Sequence, residues 1–131
     1  MTLYLLIALG GALGSVARYW LNGLVSAAPA AATFPWGTFL INVTGSFVIG
    51  FFNTLTGPDG RWFVSAESRQ FFMVGFCGGY TTFSSFSLQT LNLARDGEML
   101  QAGANILLSV ACCLVAVWLG HVLAATLNQL R

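Results

Sequence analysis

Residues 19–58, 70–94 and 99–130 contain no Asp, Glu, Lys or Arg, and that spacing dictates the solvent in which such a chain can fold. Each uncharged stretch is long enough for a helix of roughly 20 residues, the length that crosses the hydrocarbon of a bilayer. The charged side chains are confined to Arg18, Asp59, Arg61, Glu67, Arg69, Arg95, Asp96, Glu98 and Arg131. With 56% hydrophobic and 7% charged residues and a mean hydropathy of +0.78, the composition departs far from that of a soluble domain. The pattern predicts an all-α integral membrane protein: a single four-helix transmembrane domain over 1–131, with spans near 3–25, 36–56, 69–93 and 99–128. The linkers are short and hold no soluble domain.

Leu3 to Leu13, followed by the alanine-rich run Ser26 to Ala32, offers an alternative as a secretory signal with a small-residue cleavage site. No positive charge precedes the apolar run, however, and it continues through Gly14 and Arg18 to Leu21, too long and too interrupted for a signal core. A retained first helix is expected. Arginines near span ends normally decide sidedness. An even number of spans places Arg61, Arg69 and Arg131 on one side and Arg18 and Arg95 on the other, and lysine is absent. Such a balance fixes neither orientation, so two oppositely inserted copies can pack about a twofold axis in the membrane plane, as inverted repeats do in transporters. The expectation is an antiparallel homodimer.

Cys77, Cys112 and Cys113 all fall inside predicted helices, with no metal or redox spacing. They read as small buried hydrophobes. In the first span Gly10 and Gly14, four residues apart with Gly11 beside them, allow another helix to approach closely. Arg18 lies near the aqueous end of that span beside Tyr19 and Trp20. Its guanidinium either snorkels to headgroups or lines an electropositive vestibule for anions.

Thr38, Asn42 and Gly45 share one face of the second span, with Ser46 beside them. An amide in hydrocarbon must find partners, so Asn42 is either an interhelical hydrogen-bonding residue or a pore residue. Asn105, Ser109 and Cys113 form a matching stripe in the fourth span. The third span carries the densest polarity, in the run Gly75 to Ser87, GFCGGYTTFSSFS. Polar or non-helical backbone at membrane depth survives only when buried in protein or lining a water-filled cavity. Gly75, Gly78 and Gly79 lower helix propensity over one turn, and Thr81 and Thr82 can re-satisfy freed backbone groups, so a break is expected near Gly78 to Thr81. Freed carbonyl oxygens suit a hard cation such as sodium. Phe83 and Phe86, three apart and interleaved with Ser84, Ser85 and Ser87, follow. Ring edges are electropositive, so such rings can face an anion without a full charge.

No Asp or Glu lies inside a predicted span. A proton-coupled cation exporter normally needs such a carboxylate, and hydrogen-bond donors without acids point to a small anion. His121 lies close to the end of the fourth span and reads as an interfacial residue.

Gly14 with Arg18, Gly37-Thr38 with Asn42, and the run Gly75 to Ser87 together resemble the bacterial fluoride channels, the Fluc or CrcB family. The resemblance covers nearly the whole chain, and its most specific part is GGYTTFSSFS. It implies a dual-topology homodimer in the cell inner membrane that passively exports toxic fluoride through two antiparallel pores between subunits. It also implies a structural sodium ion at the dimer centre, held by the carbonyl oxygens of Gly78 and Thr81 from both subunits and not transported. By the same resemblance Phe83 and Phe86 line the pores and Asn42 donates to fluoride. Thr82, Ser109, Asn105 and Cys113 belong to the polar track, and Arg18 stands at the vestibule. Tyr80, where many relatives are aliphatic, and Cys113, often a hydroxyl, depart from the pattern; a thiol is the weaker donor.

The competing expectations are a small dual-topology multidrug exporter, which would want a carboxylate in the first span, and a non-transporting membrane subunit. Partners are then fluoride, lipid and a second copy, with no nucleic acid. An enzyme is not expected, because the sequence offers no nucleophile and base pair, no metal cluster and no phosphate-binding loop.

Overall fold

Apolar helices without charged faces bury little in water, and this chain uses them in the way a bilayer demands. The computed structural model describes residues 1–27 and 34–130. Most of the alanine-rich run weighed as a cleavage site, and Arg131, lie outside the described residues. Helix α1 is Thr2–Ser26, α2 is Trp36–Leu55 and α6 is Met99–Gln129. These three are long and apolar enough to cross a membrane. Between α2 and α6 the helical path is assembled from pieces: α3 (Ala66–Gln70), a π-helical stretch Phe71–Cys77, α4 (Gly78–Tyr80) and α5 (Phe83–Arg95). No strand occurs among the described residues. The protein is therefore an all-α, multi-pass membrane protein.

Glycine places the helices. A Cβ on Gly14 would overlap the Phe76 carbonyl and lie 2.7 Å from the Tyr80 nitrogen, and one on Gly75 would lie 2.9 Å from the Ile7 carbonyl. The backbones of α1 and the π-helical stretch thus touch without side chains between them, the close approach that small residues permit. Contacts climb both segments together, from Ile7 with Gly75 to Gly14 with Tyr80, so the two run parallel. Gly50 and Gly120 bring α2 and α6 together, Gly50 against Val117 and Gly120 against Phe47 and Phe51, and the contacts rise along both helices, from Asn42 and Ser109 at one cavity to Thr54 with His121, so the two run parallel.

The glycine-rich turn behaves differently from the expectation for it. Gly78 and Gly79 remain helical, and the chain leaves the helix at Thr81 (φ −79°, ψ 159°) and Thr82 (φ −154°, ψ 109°). Low propensity is offset at Gly79 by packing, since its Cα faces the Gly11 backbone. Thr82 caps the helix that follows, its Oγ1 accepting from the Ser85 N–H at 3.2 Å. On the other face Phe72, Phe76 and Tyr80 stack with ring centroids 5.5 and 6.1 Å apart, and the Tyr80 hydroxyl lies 2.9 Å from Thr44 Oγ1. A reversal at Gly97, whose φ of 85° favours glycine, returns the chain into α6.

At the end of the bundle where α2 and α6 finish, cations and amides occupy helix-terminal carbonyls. Arg69 donates to Thr56 Oγ1 and, at 2.9 Å, to Asn53 Oδ1; Asn128 donates to the Thr54 carbonyl at 3.1 Å and accepts from the Arg61 N–H at 2.9 Å. His121, exposed, sits 2.9 Å from Thr54 Oγ1 through Nδ1.

Candidate functional site

In an unbroken helix the Thr82 N–H would donate to the Gly78 carbonyl and the Ser85 N–H to the Thr81 carbonyl. Here the first goes to Asn42 Oδ1, at 2.8 Å, and the second to Thr82 Oγ1. Asn42 Nδ2 returns a hydrogen bond to the Thr82 carbonyl at 3.1 Å. One side-chain amide on α2 thereby takes the place of a peptide unit, satisfying both polar groups of Thr82 where the ladder has opened. Asn42 serves as an interhelical tie, and one N–H of its amide is left over for another acceptor.

Across the interruption the carbonyls of Gly78, Gly79, Tyr80 and Thr81 lose their ladder partners, and that of Gly79 accepts from Ser15 Oγ at 3.5 Å. The Cys77 carbonyl, by contrast, accepts from both the N–H and the hydroxyl of Thr81, each at 2.9 Å. Among the described residues no three His, Cys, Asp or Glu side chains converge, so a cation in this region would be bound by backbone oxygen. Freed carbonyls of this kind are the oxygen donors a hard cation takes, and Gly78 is exposed, with no atom nearer to an added Cβ than the Met73 carbonyl at 3.9 Å. The chemistry of these donors fits a hard cation such as sodium.

The interruption opens onto a cavity of about 390 Å³. Asn42 and Ser46 of α2, Gly78, Thr81, Thr82, Phe83 and Phe86, and Ser109 and Cys113 of α6 border it. Phe83 is 76% exposed and Phe86 only 8%, their ring centroids 5.2 Å apart with planes 48° from parallel. Among the described residues no carboxylate and no cation borders this space, so its polarity comes from amide, hydroxyl and thiol groups beside the rings of Phe83 and Phe86. A second cavity of about 300 Å³ lies on the far side of Thr82, lined by Arg18, Asn22, Thr38, Ser85 and Gln89. Thr82, itself buried, borders both.

Asn42, Gly78, Thr81, Thr82, Phe83, Phe86, Ser109 and Cys113, dispersed over three segments of sequence, thus meet at one cavity. Arg18 and Asn105 do not. Arg18 belongs to the second cavity, its Nη2 3.4 Å from Ser15 Oγ. Asn105 is 1% exposed and lies beneath the wall, donating to Thr90 Oγ1 at 2.8 Å while accepting from Ser109 Oγ at 3.2 Å. Ser46, Met73 and Cys77 border the main cavity without having been singled out as site residues. For Ser46 the signal was present, because it stands four residues after Asn42 on the same helical face. For Met73 and Cys77 it was not, since an apolar helix offers no reason to separate a cavity-facing methionine or thiol from the core.

The chain as a whole is similar to known proteins. Residues 5–121 match the family described as CrcB-like protein, Camphor Resistance. A protein of Rhodospirillum rubrum named fluoride-specific ion channel FluC is 64% identical over 126 residues, covering 96% of this chain and 97% of its own. Proteins of the same name from Opitutus terrae and Methylocella silvestris are 63% and 61% identical, over 100% and 98% of this chain and 98% and 97% of theirs. With nearly the whole chain matched, and with the interrupted helix and the residues around it inside the matched segment, the protein belongs to the CrcB family.

Proposed function

We propose that this protein is a fluoride-selective channel that lets toxic fluoride leave the cell passively across the inner membrane. The observation that carries the reading is the cavity at Thr81 and Thr82, where hydrogen-bonding side chains and the rings of Phe83 and Phe86 converge without a carboxylate, in a chain whose relatives are named for fluoride conduction. Fluoride is small and strongly hydrated, so a path for it must offer close donors in place of water. The free N–H of Asn42, the Ser46 hydroxyl and the edges of Phe83 and Phe86 supply them. A proton-coupled exporter of cations would need an acid in this position.

Ala66–Arg95 serves as the fourth crossing, made of two half-helices. Arg69 at its start bonds to Asn53 and Thr56 at the finish of α2, while Asn92 and Asp96 at its other end share a cavity with Trp36 and Gly37 at the beginning of α2. The segment therefore travels the depth of α2. The single four-helix domain then pairs with an inverted copy, giving two antiparallel pores. Sodium, held by the Gly78 and Thr81 carbonyls of both copies, supplies a fixed positive charge at the centre and is not conducted. Phe83, exposed in one chain, is covered or made part of a pore wall by the partner, and Arg18 with the second cavity forms an anion-attracting vestibule.

Growth on fluoride tests the reading in cells. Expression in a bacterial strain deprived of fluoride export should restore growth in fluoride medium at neutral or acidic pH. Unchanged sensitivity, with the protein present in the membrane fraction, would refute it.

A further inference from the structure

The buried Asn105 does not face the cavity, yet it is one of the two largest fully buried side chains, and its partners form a directed chain that ends on a cavity residue. Thr90 Oγ1 donates to the Phe86 carbonyl at 2.8 Å. A hydroxyl has one proton, so toward Asn105 Nδ2, also at 2.8 Å, Thr90 acts as the acceptor. That fixes which way the Asn105 amide is turned: nitrogen to Thr90, oxygen to Ser109. Ser109 in turn gives its proton to Asn105 Oδ1 at 3.2 Å and presents lone pairs, not a donor, to the cavity. Among the described residues the Asn105 to Thr90 contact is the hydrogen bond that joins α5 to α6.

We infer that Thr90 is a positioning residue for the conducting site: it locks Phe86 and sets the polarity of Ser109 through Asn105. The inference rests on the channel reading above. Phe86, 8% exposed, is held by the turn that Thr90 anchors, and Phe83 precedes it on the same short helix. α5 begins at an interruption and lacks a continuous ladder into α4, so its rotation about its own axis depends on ties such as this one. A helix that turned by a few tens of degrees would carry both rings off the cavity. Ser109 serves an anion only by rotating its proton away from Asn105, which makes it a conditional donor.

Fluoride efflux from liposomes carrying wild type, Thr90→Val, Thr90→Ser or Asn105→Leu tests this, with dimer content measured by size exclusion for each. Thr90→Val keeps the shape and removes the relay, and should slow efflux about tenfold, the effect of one buried hydrogen bond, in protein of normal dimer content. Thr90→Ser should restore efflux to within about twofold, because it keeps the hydroxyl that the relay needs. Thr90→Val conducting at the wild-type rate, or Thr90→Ser as slow as Thr90→Val, would overturn the inference. Should Thr90→Val fail to assemble, Asn105→Leu, which cuts the same link from α6, is read in its place against the same two results. Failure of the wild type itself to conduct fluoride would instead refute the channel reading, and with it the role assigned to Thr90.

Discussion

Asn42 sits at a point where a structural role and a conducting role use the same amide. Replacing it with leucine strands the Thr82 N–H and carbonyl at membrane depth, a cost of roughly 2 to 6 kcal/mol at 1 to 3 per unsatisfied group, and removes the free donor. Asn42→Leu should therefore lose both fluoride flux and thermal stability, and a stable but silent protein would assign the residue to conduction alone. The two phenylalanines separate the roles more cleanly. Phe86→Ala opens space in a packed site and should lower stability by about 2 kcal/mol, less than in a soluble core because lipid removes the transfer part of the penalty. Phe83→Ala, at a ring 76% exposed within the chain, should leave the protomer's stability unchanged. Both should cut fluoride efflux, and undiminished efflux in both would take the rings out of the pathway. At this scale the sequence was legible where polarity was out of place: Asn42, Thr82 and Ser109 stood out because hydrocarbon does not tolerate them idly. Thr90 did not stand out, since a threonine back-bonding to its own helix is ordinary in membrane spans.

The interrupted segment was legible as a region and misread in its cause. Glycine content drew attention to Gly78 and Gly79, but helix propensity is a weak prior that packing overrides, and these glycines keep the helix while α1 presses against the turn. The extended residues are the threonines, held open by an amide from α2. Two glycine variants distinguish packing from assembly. A methyl group on Gly14 has no room beside Phe76 and Tyr80, so Gly14→Ala should cost about 3 kcal/mol or more and leave little folded protein in detergent. A methyl group on Gly78 meets no atom of its own chain closer than 3.9 Å. Gly78→Ala should fold as a protomer and lose dimer, most of all in sodium-free buffer. Normal dimer content of Gly78→Ala at all sodium concentrations would remove this turn from the subunit contact. The π-helical stretch before it was invisible in the sequence, because an added residue per turn leaves no mark on an already apolar pattern.

For the whole molecule, composition and the spacing of charges were sufficient to establish a multi-pass helical membrane protein, and the pairing of α1 with the interrupted segment and of α2 with α6 followed from glycines whose partners only the structure supplies. The distribution of charge bears on insertion. Arg61 and Arg69 donate to the Leu127 carbonyl and to Asn53 and Thr56, neutral acceptors that leave their charge on the side opposite Arg18 and Arg95. Single cysteines placed in the linker between α2 and α3 of a cysteine-free variant should react with a membrane-impermeant reagent from both faces of sealed cells, about half from each; labelling from one face alone would end the inverted-dimer proposal. Selective passage of fluoride is tested with purified protein in liposomes loaded with equal potassium fluoride and potassium chloride. Potassium ionophore supplies the balancing charge while electrodes follow both anions. Fluoride should leave rapidly while chloride is retained. Release of both anions together, or of neither from folded and dimeric protein, would contradict it.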